Sequence, residues 1–374
     1  MKYLAYQTQR VLRFLTKANC VRYPLFENPA DLKLSKNILQ QSGIQRLLGK
    51  LKNGDYIRLE NPCLCGNSDR SQDELISRLD MHAIDLNVLL CWKCGLIRSA
   101  DAFDIRSNAS YYKCEYREIH SGGISCVEDY FDSQLDRGSS FLDILNRTGV
   151  IHELESIAEI GCGSGGVLHP FHLIGKQVSG YDYDDEFLQF GRNKGMHMVC
   201  LGENSRPNLH FAPDLLILSH VIEHFLNPRV ELMQLIGQIK PGKYLIAEVP
   251  GVFALSTRKA LRGYPVRYFQ IAHVIQFFYR EYLDVFYRAF GLEIIYGDET
   301  ATFVLRKPLA WEPRTPGDIY ADKLARYPSL IDRYIKDTYF DYRYGFNRDN
   351  FHWYVSSMLD RLGLRGAVKK LVRR

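Results

Sequence analysis

The sequence predicts an α/β protein in which a parallel sheet is covered by helices on both faces, preceded by a small cysteine-rich module and flanked by helical ends. Three observations carry this. From residue 154 onward, short β-rich runs alternate with helical patterns at the spacing that parallel strands and crossover helices need. The first run opens into Gly161, Gly163, Gly165 and Gly166, a turn-forming cluster ahead of a helical pattern. The 374 residues, 46% hydrophobic and 24% charged, suffice for one sizeable core and a smaller second module.

Residues 1–54 read as helical, because Leu4, Val11, Leu12 and Leu15, then Ile38, Leu39, Leu47 and Leu48, recur at helical spacing among polar residues. Residues 55–118 resemble a small ribbon without a core of its own, with apolar pieces such as Val88, Leu89 and Leu90 lying between cysteine pairs. A connecting segment, 119–153, carries a helix over about 127–148. In the domain at 154–308, strands are expected at 156–160, 177–182, 196–201, 215–219 and 244–249, with helices at 165–175, 184–194 and 228–239. A helix near 279–290 and strands at 292–296 and 302–305 close the sheet. Residues 309–374 read as a helical segment ending in a basic tail.

The net charge of +5 is unevenly placed. Residues 1–26 hold Lys2, Arg10, Arg13, Lys17 and Arg22 without an acid, and residues 361–374 hold Arg361, Arg365, Lys369, Lys370, Arg373 and Arg374 without an acid. The body between them is acidic, which argues against a nucleic-acid binder. Leu364, Ala367, Val368 and Leu371 give the last segment an apolar stripe beside its basic row, so the ends are expected either to pack on the body or to lie on an anionic membrane surface. With no long apolar run and no apolar leader core, the expected location is cytoplasmic.

Of nine cysteines, Cys63 with Cys65 and Cys91 with Cys94 form two close pairs, each followed by a glycine. A glycine there permits the turn that points both sulfurs at one ion, and four thiolates in tetrahedral array favour zinc. Cys114, His120 and His82 are the alternates for one ligand.

The turn Glu159-Ile160-Gly161-Cys162-Gly163-Ser164-Gly165-Gly166 lets backbone N–H groups approach a bound cofactor. Its glycine spacing also suits a dinucleotide, and Asp182 at the end of the second strand suits the ribose of NAD or of S-adenosylmethionine equally.

Four stretches resemble, in order and spacing, the class I S-adenosylmethionine-dependent methyltransferases over about residues 154–306: EIGCGSG at Glu159 to Gly165, GYD at Gly180 to Asp182, DLLILSHVIEHF at Asp214 to Phe225, and KPGKYLIAEVPG at Lys240 to Gly251. The resemblance implies a Rossmann-like seven-stranded sheet and S-adenosyl-L-methionine as cofactor. Glu159, Gly161, Gly163 and Gly165 would shape the methionine pocket, Asp182 would hold the ribose, Tyr183 would lie by the adenine, and His220 would stand at the pocket rim. Glu203 or Asn204 is the counterpart sought for the adenine amino group. Cys63 to Gly66, Cys91 to Ile97, Ser110 to Tyr112 and Tyr116 look like the zinc-binding region ahead of that domain in sugar C-methyltransferases and their relatives. That likeness implies a structural zinc and a sugar or glycan-related acceptor. About 65 residues follow Pro308, too few for the further α/β domain of those enzymes, so their nucleotide-sugar substrate does not simply carry over.

Methyl transfer from a sulfonium is an in-line displacement, and a base is needed only where the nucleophile must lose a proton. His220, Glu223 and His224 follow the fourth strand, at the rim where open α/β sheets bind ligands, and His273 lies farther along. His224 and His273 are the expected bases, with Glu223 orienting them, and His220 and His224 would share a face if a helical turn begins there. Tyr111 and Tyr112 are expected at the acceptor cleft. The aromatic-rich stretch 263–287, with Tyr264, Arg267, Tyr268 and Phe269, reads either as a sugar or phosphate site or as a helical cover. The rival functions are an NAD-dependent oxidoreductase and a non-catalytic cofactor-binding member of the same fold.

Overall fold

A computed structural model describes residues 36–121, 127–202, 208–256 and 269–344. The basic ends, Tyr264, Arg267, Tyr268, Glu203 and Asn204 lie outside the described residues. Seven strands form one sheet: β6 (Ser156–Ile160), β7 (Gln177–Asp182), β8 (His197–Cys200), β9 (Leu215–Ser219), β10 (Tyr244–Glu248), β12 (Glu293–Gly297) and β13 (Thr302–Arg306). Their order is β12-β13-β10-β9-β6-β7-β8, parallel from β10 through β8, with β13 antiparallel to both β10 and β12. The expected Rossmann-like α/β fold is therefore present.

The central strands run as unbroken buried stretches because both faces are covered, which is why they read as continuous apolar runs rather than as alternations. All five residues of β9 are buried, and each large apolar side chain there contributes about 1.5–3 kcal/mol by leaving water. One face packs under α4 (Val127–Arg147) and α5 (His169–Leu173), through Phe131, Phe141, Leu145, Phe171 and Ile217. The other face joins Leu216, Leu218 and Leu245 to a core that continues through Leu86, Leu90 and Ile97 of the cysteine module to Ile331.

The module comprises α1 (Ile38–Asn53), β1 (Arg58–Glu60), β2 (Asp73–Leu79), β3 (Asp85–Cys91), β4 (Ile97–Ser99), β5 (Asp101–Phe103), α2 (Ile105–Cys114) and α3 (Tyr116–Ser121). Its principal sheet has the order β11-β4-β3-β2, and the edge strand β11 (Ile275–Phe277) comes from the far side of the chain. The helical cover expected over 263–287 is thus corrected at its centre. β11 is fixed by side chains as well as by its antiparallel pairing with β4: Asn61 Nδ2 donates to the Val274 carbonyl at 2.9 Å, and Gln276 Nε2 donates to Ser99 Oγ at 2.7 Å.

Two further expectations change. The helix over 165–175 shrinks to α5, because Gly165 sits at φ 87° and the chain does not become helical until His169, one residue before Pro170. Residues 309–321 are not helical; Pro313, Pro316 and Gly317 oppose helix, and helix resumes only with a 3-10 turn at Asp322–Arg326 and α9 (Tyr327–Tyr344). The non-helical stretch clasps the module, with the Ile319 N–H donating to the Leu64 carbonyl at 2.8 Å. No helix among the described residues is long and apolar enough to cross a membrane.

Candidate active site

The sheet reverses its order beside β6, with β7 on one side and β9 on the other, and the loops leaving these strands meet in the crevice that such a switch creates. Gly161, Gly163 and Gly165 all take left-handed φ values of 71°, 53° and 87°. A Cβ on Gly163 would come within 2.6 Å of the Tyr130 ring of α4, so the loop is closely approached and only glycine fits there without strain. Asp182 ends β7 and accepts from the N–H groups of Gly163 at 2.8 Å, Tyr183 at 2.7 Å and Asp184 at 3.1 Å. Arg117 of α3 stands 3.5 Å from Asp182, pairs with Asp184 and lies 3.7 Å from the Phe187 ring centre.

Glu159, 2% exposed, is pushed up to about 8 by burial. Its Oε2, Ser164 Oγ and Ser219 Oγ are buried without a partner. Such groups call for a ligand that brings its own donors and acceptors. A cofactor with a sulfonium, an ammonium and ribose hydroxyls suits this lining, since it offers cations to a buried carboxyl and hydroxyls to Asp182.

A second cluster begins where β9 ends. His220, at φ 55°, lies between two carboxylates, with Nδ1 3.1 Å from Glu223 Oε1 and Nε2 3.3 Å from Glu248 Oε1. Burial alone would lower its pKa, and the hydrogen bonds to Glu223 and Glu248 reverse that and raise it. A 3-10 turn, Ile222–His224, then points His224 elsewhere. His224 Nδ1 is 2.5 Å from the Tyr112 hydroxyl and 3.3 Å from the Ala272 carbonyl. A carbonyl only accepts, so a proton on Nδ1 satisfies both contacts and leaves the Nε2 lone pair open. The His273 ring stands edge-on to His224 with centroids 4.6 Å apart. Burial lowers both pKa values, that of His273 further. Both imidazoles are therefore neutral at pH 7, and neutral imidazoles are what proton acceptance or metal ligation requires.

Behind this cluster lies a wall from the module. Tyr111 reaches His120 at 2.9 Å, Tyr116 packs on His120 with centroids 4.7 Å apart, and Tyr116 also stands edge-on to His224 at 6.2 Å.

The four paired cysteines converge. Their sulfurs lie within 4.8 Å of one another, all four residues are buried, and the Cys63–Cys94 and Cys65–Cys91 sulfur separations are 3.6 and 3.7 Å. A tetrahedron with Zn–S bonds of about 2.3 Å has edges of about 3.8 Å, so the donor set fits zinc without rearrangement. Gly66 and Gly95 take φ of 80° and 84°, the turns that aim each pair inward. Hydrogen bonds from Cys63, Cys65 and Cys94 pull the Cys91 thiol far down, while burial pushes Cys94 up. Asn67 Nδ2 donates to the Cys91 sulfur at 3.5 Å. The suggested alternates are corrected: His120 is held by Tyr111, His82 packs on His120, and Cys114 is exposed, so none belongs to the cluster.

Residues 132–296, the stretch that contains the glycine loop, Asp182 and the histidine cluster, match the family described as a methyltransferase domain. Residues 132–296 carry a methyltransferase domain. The dinucleotide reading of the glycine loop is thereby set aside. No curated protein matches the chain by sequence. Among solved structures, one similar chain is an amino pentose methyltransferase from Micromonospora echinaspora with S-adenosylmethionine bound, 17% identical, covering 46% of this chain and 91% of that one, TM-score 0.36. Another is an O-methyltransferase family protein from Burkholderia thailandensis, 13% identical, covering 52% and 64%, TM-score 0.40. A third is a plantazolicin methyltransferase with a pentazolic desmethyl analogue and S-adenosylhomocysteine bound, 13% identical, covering 55% and 98%, TM-score 0.40.

The expected site residues fall into two groups, with His220 apart from both. Glu159, the three glycines and Asp182 meet at the loop end of the sheet, and Tyr183, 54% exposed, lies at its edge. Glu223, His224 and His273 come together, whereas His220 turns away from His224 toward Glu223 and Glu248, so the shared helical face is not formed. Arg117 and Glu248 escaped the sequence reading. Arg117 lies in no motif and reaches Asp182 only through the packing of the module, while Glu248 ends a strand whose register decides what it meets.

Proposed function

We propose that the protein transfers the methyl group of S-adenosyl-L-methionine to a hydroxyl, or alternatively a carbon, of a sugar or glycan-related acceptor, with a structural zinc ion holding the N-terminal module. The cofactor supplies an electrophilic methyl on a good leaving group. The chain's part is to hold the acceptor in line, exclude water and take the acceptor's proton.

The observation that carries the acceptor reading is the meeting of Glu223, His224 and His273 against Tyr112 of the module. An acceptor that must lose a proton needs a neutral base within reach, and His224 Nε2 and His273 offer lone pairs there. Module and domain share this wall, so on this reading the acceptor cleft is built from both, with Tyr112 lining it from the module. Any contact of the basic ends with an anionic membrane, and a cytoplasmic location, belong to the same proposal as expectations from charge and composition alone.

The test is incubation with labelled S-adenosylmethionine and panels of free sugars, nucleotide sugars, glycans and peptides, with products resolved by mass spectrometry. Label in a sugar supports the reading, and its loss in His224→Asn together with His273→Asn supports the base. Label in peptides alone, or methyl transfer undiminished in that double variant, counts against the acceptor class and the base respectively.

A further inference from the structure

Glu223, His224 and His273 bring together three groups that can each ligate a metal. One ligand atom from each lies within 4.8 Å of the other two. Glu223 and His273 are 0% and 4% exposed, and Glu223 Oε2 and His273 Nδ1 are buried without a hydrogen-bond partner. Buried polar atoms left without partners call for a bound group to satisfy them, and with the imidazole lone pairs turned toward the Glu223 carboxylate that group is a cation.

The outer contacts favour that arrangement. His224 commits Nδ1 to Tyr112 and the Ala272 carbonyl, which leaves Nε2 as the outward atom. Glu223 commits Oε1 to His220 and leaves Oε2. Metal-binding imidazoles and carboxylates are held from behind in this manner, because the rear hydrogen bond fixes both the tautomer and the ring orientation.

We propose that Glu223, His224 and His273 bind a divalent transition-metal ion, and that the acceptor's oxygen completes its coordination. Two imidazoles with one carboxylate favour zinc, iron or manganese over magnesium or calcium, which take oxygen ligands. Three protein ligands leave positions open, unlike the closed set of four thiolates. The second half of the proposal rests on the acceptor reading above; ion binding itself does not. With the ion in place the imidazoles serve as ligands, which replaces the base role given them above: coordination makes the acceptor hydroxyl acidic enough to release its proton to solvent before water is excluded for methyl transfer.

The experiment uses full-length protein equilibrated with Zn2+, freed of loose metal by a weak chelator, and assayed for metal per chain. Wild type is expected to hold one ion more than the Glu223→Gln, His273→Gln double variant, and equal counts overturn the proposal. Should the double variant fail to fold, wild type decides through its thiols. Two ions with the four clustered cysteines shielded from a thiol reagent, or an ion bound while they stay reactive, supports the site. One ion with all four shielded, or none bound, overturns it. Calorimetric binding of S-adenosylmethionine to wild type tests the methyltransferase reading separately, so the two failures are distinguishable.

Discussion

The Tyr112 hydroxyl, carried on α2 of the cysteine module, lies 2.5 Å from His224 Nδ1, which follows the fourth strand of the methyltransferase domain. Their positions differ by 112 in sequence, and the contact makes the orientation of a domain histidine depend on the module. Tyr112→Phe is expected to keep the fold and cofactor affinity while lowering kcat by about tenfold to a hundredfold, since an unsatisfied buried group costs roughly 1–3 kcal/mol. Steady-state kinetics with calorimetric S-adenosylmethionine binding check this; an unchanged kcat would separate Tyr112 from the reaction.

The strand at 215–219 coincides with what the sequence suggests because it is buried on both faces and apolar but for Ser219, and those at 156–160 and 177–182 coincide because each runs into a clear turn. The four thiols were legible for a chemical reason, paired spacing with glycines behind. What could not be read is long-range. Ile275–Phe277 belongs to the module's sheet through contacts such as Asn61 to Val274, 213 positions apart, and no local pattern records them. Likewise Arg98, 1% exposed, is held by the two oxygens of Asp73 at 2.9 and 2.8 Å, an ion pair that composition would assign to the surface.

Gly163→Ala tests the loop. The residue would have to hold φ 53° with its Cβ 2.6 Å from the Tyr130 ring, which costs roughly 1–3 kcal/mol for backbone strain before the ring moves. The variant is expected to bind S-adenosylmethionine at least tenfold more weakly and to melt at a lower temperature. Calorimetry and thermal melts on the same sample would show both losses; unchanged affinity would mean that the loop does not touch the cofactor.

Glu159 gives a pH dependence of definite sign. Its folded pKa is raised from 4.5 to about 8 by burial, so between those values the folded chain holds a proton that the unfolded chain has released. Stability from this group therefore falls as pH rises through the window, by at most about 1.4 kcal/mol per pH unit. Glu159→Gln cannot titrate, and urea denaturation should find its stability relative to wild type growing from pH 5 to pH 8 and levelling above. A constant difference across that range would place Glu159 in a wetter setting than its burial indicates.

Removing the proposed zinc should disable the acceptor side before the cofactor side. The four sulfurs close the β3–β4 turn, and Tyr279 donates its hydroxyl to the Cys94 carbonyl, so the ion's site is tied to α8 (Arg280–Ala289) as well as to the module's sheet. From there β4 passes its order to β11, which begins two residues after His273, while the Val274 N–H donates to the Glu223 carbonyl at 2.8 Å. Loss of the ion would leave a knot of buried thiols with no common partner, loosen this edge and let the Tyr112–His224 contact part. The glycine loop and Asp182 are anchored in the other sheet, between β6 and β7, and should hold. Chelation strong enough to expose the four thiols to a thiol reagent, or Cys91→Ser, is thus expected to abolish methyl transfer while S-adenosylmethionine affinity falls less than tenfold. Equal loss of both would show that the module supports the whole domain, and retention of both would show that the thiolate cluster does not organise the site.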